Sequence, residues 1–325
     1  MLARLLAALL AASAALTGLP ALAQGFPNRP LVLVVPFAVG GVTDNIARLL
    51  AAAMAGPLGQ PVVVENVAGA GGTIGAASVA RAAPDGYRLL IHHVGHASAA
   101  TLYRSLPFDT VEDFAPVGLA TDSPMVMLGH PGLPPRTLPE LVAWLKARGD
   151  RATIGNAGIG SASHLCGMLF MSTIQVELTP VPYRGGGPMM TDLLAGRLDL
   201  SCSSTDTAVP LIRSGSVHPY VVTHRERLPY LPTVASAGEA GFANFDLSIW
   251  HGVYAPKGTP RPVVDRIGAA LRQALAEEAV KARLTALGTD PARPEMVTPE
   301  ALRAQLVAEV RRWAPLIRNA GVYAN

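Results

Sequence analysis

Charge is scarce in this chain of 325 residues: Asp, Glu, Lys and Arg together make up 15%. Lys and Arg number 26 against 23 Asp and Glu, a formal net charge of +3. That balance excludes a nucleic-acid binder working through a broad basic surface. Aromatic residues are only 5%, so the apolar half of the composition rests largely on Ala, Val and Leu. The 32 Gly and 28 Pro follow no short period, which excludes collagen-like and low-complexity architectures. Beyond residue 23 no apolar run reaches the roughly 20 residues that a membrane-spanning helix needs. Cysteine occurs twice, at Cys166 and Cys202. The two form one bridge or pack as two buried thiols, and sequence alone leaves both open.

The first 23 residues read as a secretory signal peptide. Arg4 supplies a positive start, Leu5 to Leu16 an apolar stretch, and Ala21-Leu22-Ala23 the small residues of a cleavage site. Export to the periplasm is therefore expected. It removes the protein from any nucleotide pool and makes a disulfide chemically available.

The remainder of the chain alternates short unbroken apolar runs with Ala/Leu-rich helical ones. Strands are expected at Leu31–Phe37, Pro61–Glu65 and Tyr87–His92, with helices at Asn45–Ala55 and Thr73–Ala82 between them. Apolar strands joined by helices indicate a parallel sheet covered on both faces. The pattern restarts at Leu138, with strands at Ala152–Gly155, Thr179–Tyr183, Leu198–Ser201 and Val217–Thr223. Helices are expected at Arg261–Leu287 and Pro299–Ala320. Two long strand-like segments, Pro116–His130 and Phe245–Pro256, read as crossings between lobes. The expected fold is α/β, a two-lobed clamshell whose lobes are each a doubly wound, mostly parallel sheet. Residues 24–121 with 247–325 form lobe one, and 122–246 form lobe two. Such clamshells close on small ligands.

Open α/β sheets bind ligands beyond the carboxyl ends of their strands. Phe37-Ala38-Val39-Gly40-Gly41-Val42-Thr43-Asp44 occupies that place after the first strand. Its glycines let backbone approach a ligand, and Thr43 or Asp44 is expected to cap the helix beside it. Free N–H groups and the helix dipole there favour an anion. Gly158-Ile159-Gly160-Ser161-Ala162-Ser163-His164 holds the matching place in the second lobe, with Gly160, Ser161, Ser163 and His164 as candidate contacts. Neither loop carries Lys or Arg, so a carboxylate would be held by dipoles and neutral donors. His92-His93-Val94-Gly95-His96 ends the third strand, and His93 and Gly95 are candidate contacts at the same cleft mouth. Ser203-Ser204-Thr205-Asp206-Thr207 follows the strand LDLSC as a hydroxyl-rich end aimed at the cleft, with Ser204, Thr205 and Asp206 as candidate contacts. Asp206 would repel a second carboxylate if it pointed inward. Arg184 can either pair with a distal carboxylate or lie solvated beside its turn.

Other chemistries are poorly marked. Gly69-Ala70-Gly71-Gly72-Thr73-Ile74-Gly75 has the spacing G-x-G-x-x-x-G and lacks the downstream acid of a dinucleotide site. A tight turn under the sheet fits it better. The three histidines lack carboxylate or thiolate company, so no metal and no cofactor is implied. Ser161 fails the nucleophile-elbow pattern. A secreted hydrolase pairing Ser161 with His92, His93 or His96 stays as an alternative. So does a sensor module for a signalling receptor.

Six ordered segments carry a resemblance. They are PNRPLVLVVPFAVGGVTDNIAR (27–48), VVVENVAGAGGTIGAASVARAAPDGYRLL (62–90), LPFDTVEDFAPVGL (106–119), GIGSASHLCGMLF (158–170), VPYRGGGPMMTDLLAGRLDL (181–200) and WHGVYAPKGTP (250–260). In these the chain resembles the Bug-type substrate-binding proteins of tripartite tricarboxylate transporters. The resemblance implies a periplasmic clamshell that binds a small organic carboxylate without metal or covalent chemistry. It implies that the loops 37–44 and 158–164 grip one carboxylate between them, partly through water. Val39 stands where that family often has Pro. The implied partners are the ligand and integral-membrane transporter subunits. The protein itself is expected to be a monomer.

Overall fold

The computed structural model describes residues 25–242, 245–321, 323 and 324. The expected leader therefore lies outside the described residues. None of the described helices is long and apolar enough to cross a membrane.

The first unit opens with β1 (Leu31–Val35), α1 (Val42–Leu58), β2 (Val62–Asn66), α2 (Thr73–Ala80) and β3 (Arg88–His93). β1 pairs in parallel with both β2 and β3. Its side chains are buried on both faces because helices cover both, which is why it reads as an unbroken apolar run. A short helix, α3 (Gly95–Leu102), follows β3 and then β4 (Phe114–Asp122). The chain crosses at Ser123-Pro124 into β5 (Met125–Gly129).

The second unit continues with α4 (Leu138–Arg148), β6 (Thr153–Asn156), α5 (Ala162–Ile174), β7 (Thr179–Pro182) and α6 (Gly186–Leu194). β8 (Leu200–Ser204), α7 (Thr205–Arg213) and β9 (His218–Val222) complete it. The return crossing leads into β10 (His251–Pro256), then α8 (Arg261–Ala276), α9 (Glu278–Ala286), β11 (Asp290–Pro291) and α10 (Pro299–Ala320). Ile249 N donates to Ser123 O at 2.7 Å, and Pro124 bridges Ser248 in antiparallel fashion. The two crossings thus run side by side.

The sheets share one plan. Strand order is β11-β4-β10-β3-β1-β2 in one and β7-β6-β8-β5-β9 in the other. Each is a mixed sheet: parallel pairings on one side give way to antiparallel ones where the strand from the other unit is inserted, β10 between β3 and β4 and β5 between β8 and β9, and β11 pairs antiparallel with β4. In each, the order reverses beside the first strand of the unit. The reversals lie at β1/β3 and at β6/β8, so the loops after those four strands line two switch points.

Local chemistry explains most element ends. Thr298 caps α10 through Ala301 N at 3.2 Å, with Pro299 in its first turn. α10 buries Leu302, Leu306, Trp313 and Ile317 and packs against α3 and β4. The helix expected over Arg261–Leu287 is two helices. Glu277 takes extended backbone (φ −67°, ψ 127°) and breaks it. Two short helices, α3 and α7, stand where only loop and strand end were expected. Both begin at polar or Gly-rich residues that read as turn formers.

Candidate functional site

Lobe one presents the loop that joins β1 to α1. Ala38, Val39, Gly40 and Gly41 are exposed along its rim, and Val39 is 70% exposed. Gly40 holds φ +83°, a left-handed conformation that favours glycine. The helix cap is Gly41, not Thr43 or Asp44, and no side chain caps α1. Its first-turn N–H groups are therefore left for water or a ligand.

Asp44 works from below. It is 1% exposed; its Oδ2 accepts from Gly40 N at 2.8 Å and from Arg48 Nε at 3.0 Å, and its Oδ1 from Asn66 Nδ2 at 2.9 Å. Asn66 Nδ2 also donates to the Phe37 carbonyl at 3.0 Å. One buried carboxylate thereby pins both ends of the loop. Burial alone would raise its pKa, but Arg48, the Gly40 N–H and Asn66 outweigh that and hold it below the usual value. Thr43 also faces inward. Its Oγ1 lies 3.0 Å from His251 Nε2, while Thr121 Oγ1 lies 2.9 Å from His251 Nδ1.

Phe37 stacks on the His93 ring, with centroids 4.6 Å apart and planes 11° from parallel. His93 Nδ1 accepts the Gly95 N–H at 2.9 Å, which fixes the turn into α3. His96 sits deeper, fully buried against Phe108, Phe114 and Tyr254. Burial lowers His93 and His96 to about 4; burial, with a smaller contribution from His93, lowers His251 to about 3. Burial, aided by the neighbouring rings, takes His92 well below 6.5. These rings are neutral aromatic packing at neutral pH. Among the described residues no group of His, Cys, Asp and Glu is placed to hold a metal.

Lobe two presents the loop between β6 and α5. Ser161 caps α5, its Oγ accepting from His164 N at 3.2 Å. Ser163 Oγ accepts from Ala157 N at 2.8 Å and lies 3.0 Å from Ser161 Oγ. His164 Nδ1 accepts from Gly160 N at 3.3 Å, and burial lowers its pKa to about 4. Gly158 and Gly160 both hold positive φ. Among the described residues, no hydrogen bond joins Ser161 to a histidine ring. The Ser161 pairing with His92, His93 or His96 is thus not formed.

A disulfide joins Cys166 in α5 to Cys202 in β8, with Cα atoms 6.1 Å apart. It ties the Ser161 loop to the strand that delivers Ser204, Thr205 and Asp206. Thr205 is fully buried, and its Oγ1 donates to the Gly288 carbonyl of lobe one. Asp206 lies in the first turn of α7, with Oδ1 buried and unpartnered among the described residues. Burial raises its pKa. Between these segments lies a cavity of about 150 Å³. Ser161, Ser163, Ser203, Ser204 and Thr207 line it with Met125 and Met189. Hollows of about 820 and 1020 Å³ on other surfaces share none of the candidate residues, so size does not mark this site.

The lobes meet beside this cavity. A Cβ added at Gly95 would lie 3.4 Å from the Gly160 carbonyl oxygen, and one at Gly160 would press on Leu102 Cδ2 at 2.7 Å. The contacts run from Phe37 through His93 and Gly95 to Gly160, which links the two loops. His251, buried behind Thr43 and Thr121, is a supporting residue that the sequence alone does not single out. Its one signal is a lone histidine in the apolar segment Trp250–Pro256.

Comparison with known proteins identifies the family and the fold. The family model described as "Tripartite tricarboxylate transporter family receptor" matches residues 46–322. An Agrobacterium vitis protein, described as a UPF0065 protein in the TAR-I ttuE-ttuC' intergenic region, is 45% identical over 308 residues. That match covers 94% of this chain and 89% of the relative. The structure of the periplasmic binding protein BugD superposes with a TM-score of 0.81 at 43% identity, over 92% of this chain and 100% of that one. MatC from Rhodopseudomonas palustris with bound malate gives 0.81 at 41% identity, over 90% and 100%.

Proposed function

The chain belongs to the tripartite tricarboxylate transporter receptor family, and from that membership we propose that it captures a small organic carboxylate between its lobes for delivery to a membrane permease. The family is one of periplasmic substrate-binding receptors. Export through the leader 1–23 and action as a monomer belong to the proposal, as does the division into lobes 24–121 plus 247–325 and 122–246.

The supporting observation is the pair of helix N-termini, α1 and α5, at matching switch points of two sheets with one strand order. The carboxylate docks on Gly40, Gly41 and the first turn of α1 from one side, and on Gly160 to Ser163 from the other. Dipoles and N–H donors hold it without an ion pair, which keeps capture reversible. His93, Gly95 and Ser204 shape the space for the rest of the ligand. Malate bound to MatC supports a carboxylate of this size class. Closure follows because the ligand touches both lobes only in the closed state.

Thermal melts of the purified protein with a panel of carboxylates test this reading. A binder at about 100 times its Kd adds about 2.7 kcal/mol and raises Tm by several degrees. A panel without any shift would overturn it.

A further inference from the structure

We propose that Gly288 sets how closely the two lobes meet, and so positions the wall of the ligand cavity. The proposal rests on the capture reading above and concerns the same site. Gly288 lies in the turn between α9 and β11 and holds φ +67°. Its N–H donates to Thr285 O at 2.9 Å, and Thr289 N to Leu284 O at 3.1 Å, which closes the helix end. A helix end explains the positive φ. It does not explain what lies opposite. A methyl group on Gly288 would overlap the backbone N and Cα of Asp206, in the first turn of α7 in lobe two.

Two hydroxyl contacts bracket this backbone-to-backbone approach. Thr205 Oγ1 donates to the Gly288 carbonyl, and Ser123 Oγ, at the first crossing, donates to Thr289 Oγ1. Thr205, Ser123 and Thr289 are all buried. From Thr289 the seam continues into the pairing of Asp290 with Asp122 at the end of β4. On the lobe-two side Ser204 and Thr207, which flank Asp206 in sequence, line the ligand cavity. Any side chain at 288 displaces the start of α7, and the cavity wall moves with it.

Gly59 provides a matched control. It ends α1 with φ +73° and has open space where a Cβ would go. Gly288→Ala and Gly59→Ala carry the same kind of backbone penalty, and only the first thickens the seam. Amide hydrogen exchange of the purified ligand-free protein is read over residues 203–209 and 284–291, and malate affinity by calorimetry. Circular dichroism checks that each variant is folded.

Gly288→Ala is expected to speed exchange in both segments about tenfold and to weaken malate binding about tenfold, with Gly59→Ala doing neither. Should Gly288→Ala fail to fold, Thr205→Val removes a bracket without adding bulk and is expected to act in the same direction, more weakly. Unchanged exchange at both segments overturns the proposal, whatever the protein binds. Equal losses in Gly59→Ala overturn it too, because backbone strain alone would then suffice. Faster exchange in a protein whose wild type binds no carboxylate upholds the seam and sinks the capture reading instead.

Discussion

Lobe one fastens its switch-point loop with a buried carboxylate, whereas lobe two fastens its own with a covalent bond and a chain of serine hydroxyls. Asp44 reaches Gly40, Arg48 and Asn66, while Cys166 reaches Cys202. The strand order is the same in both, so topology alone does not dictate how a loop is held. The difference teaches where redox state acts. Lobe two carries the redox-sensitive tie, while buried histidines that resist protonation occur in both lobes, His93 and His96 in one and His164 in the other.

Breaking the covalent half should have the largest effect. The bridge closes a loop with a sequence separation of 36. The chain-entropy argument assigns it about 3–4 kcal/mol, so Cys166→Ala/Cys202→Ala should lower the urea midpoint accordingly. Carboxylate affinity should fall with it, since the Ser161 loop and Ser204 lose their tie. A double variant with wild-type stability would remove the contrast between the lobes.

Asp44→Ala comes next. It strands the Gly40 N–H, Asn66 and Arg48 together. Arg48 is 49% exposed and can turn to water, so the cost is about 2–3 kcal/mol. Amide hydrogen exchange should rise in the loop 37–44 and not in the loop 158–164.

Acid offers a further test. His96 is lowered to about 4 in the fold by burial, against about 6.5 in the unfolded chain. The unfolded state binds more protons between those values, so stability falls as pH drops from 6.5 towards 4. By pH 5 the loss is on the order of 2 kcal/mol for such a histidine. His96→Phe, among Phe108, Phe114 and Tyr254, should recover most of that at pH 5 and little at pH 8. A parallel pH profile for variant and wild type would refute it.

The smallest effect belongs to Ser161→Ala. Loss of the α5 cap should cost about 1 kcal/mol in a denaturant titration. Carboxylate affinity should weaken, because the same hydroxyl borders the cavity.

The two switch-point loops were legible because Gly, Ser and Thr cluster after unbroken apolar strands, a local pattern. Helices with clear apolar spacing, such as α10, were legible for the same reason. What escaped depends on distant partners. His251 acts through Thr43 and Thr121, which lie 208 and 130 residues away in sequence. The antiparallel insertion of β5 and β10 depends on register between units, on which composition is silent. The disulfide stayed open until the fold brought the Cα atoms of Cys166 and Cys202 to 6.1 Å. The break at Glu277 escaped because charged residues on both sides continue a helical composition.

The paired crossings carry one more consequence. Strapped together at Ser123, Pro124, Ser248 and Ile249, they bend as a single ribbon rather than as two loose strings. Hydrogen bonding between the crossings couples them, so neither turns without the other. The jaws are therefore expected to swing along a single arc, arriving at the same alignment each time they shut.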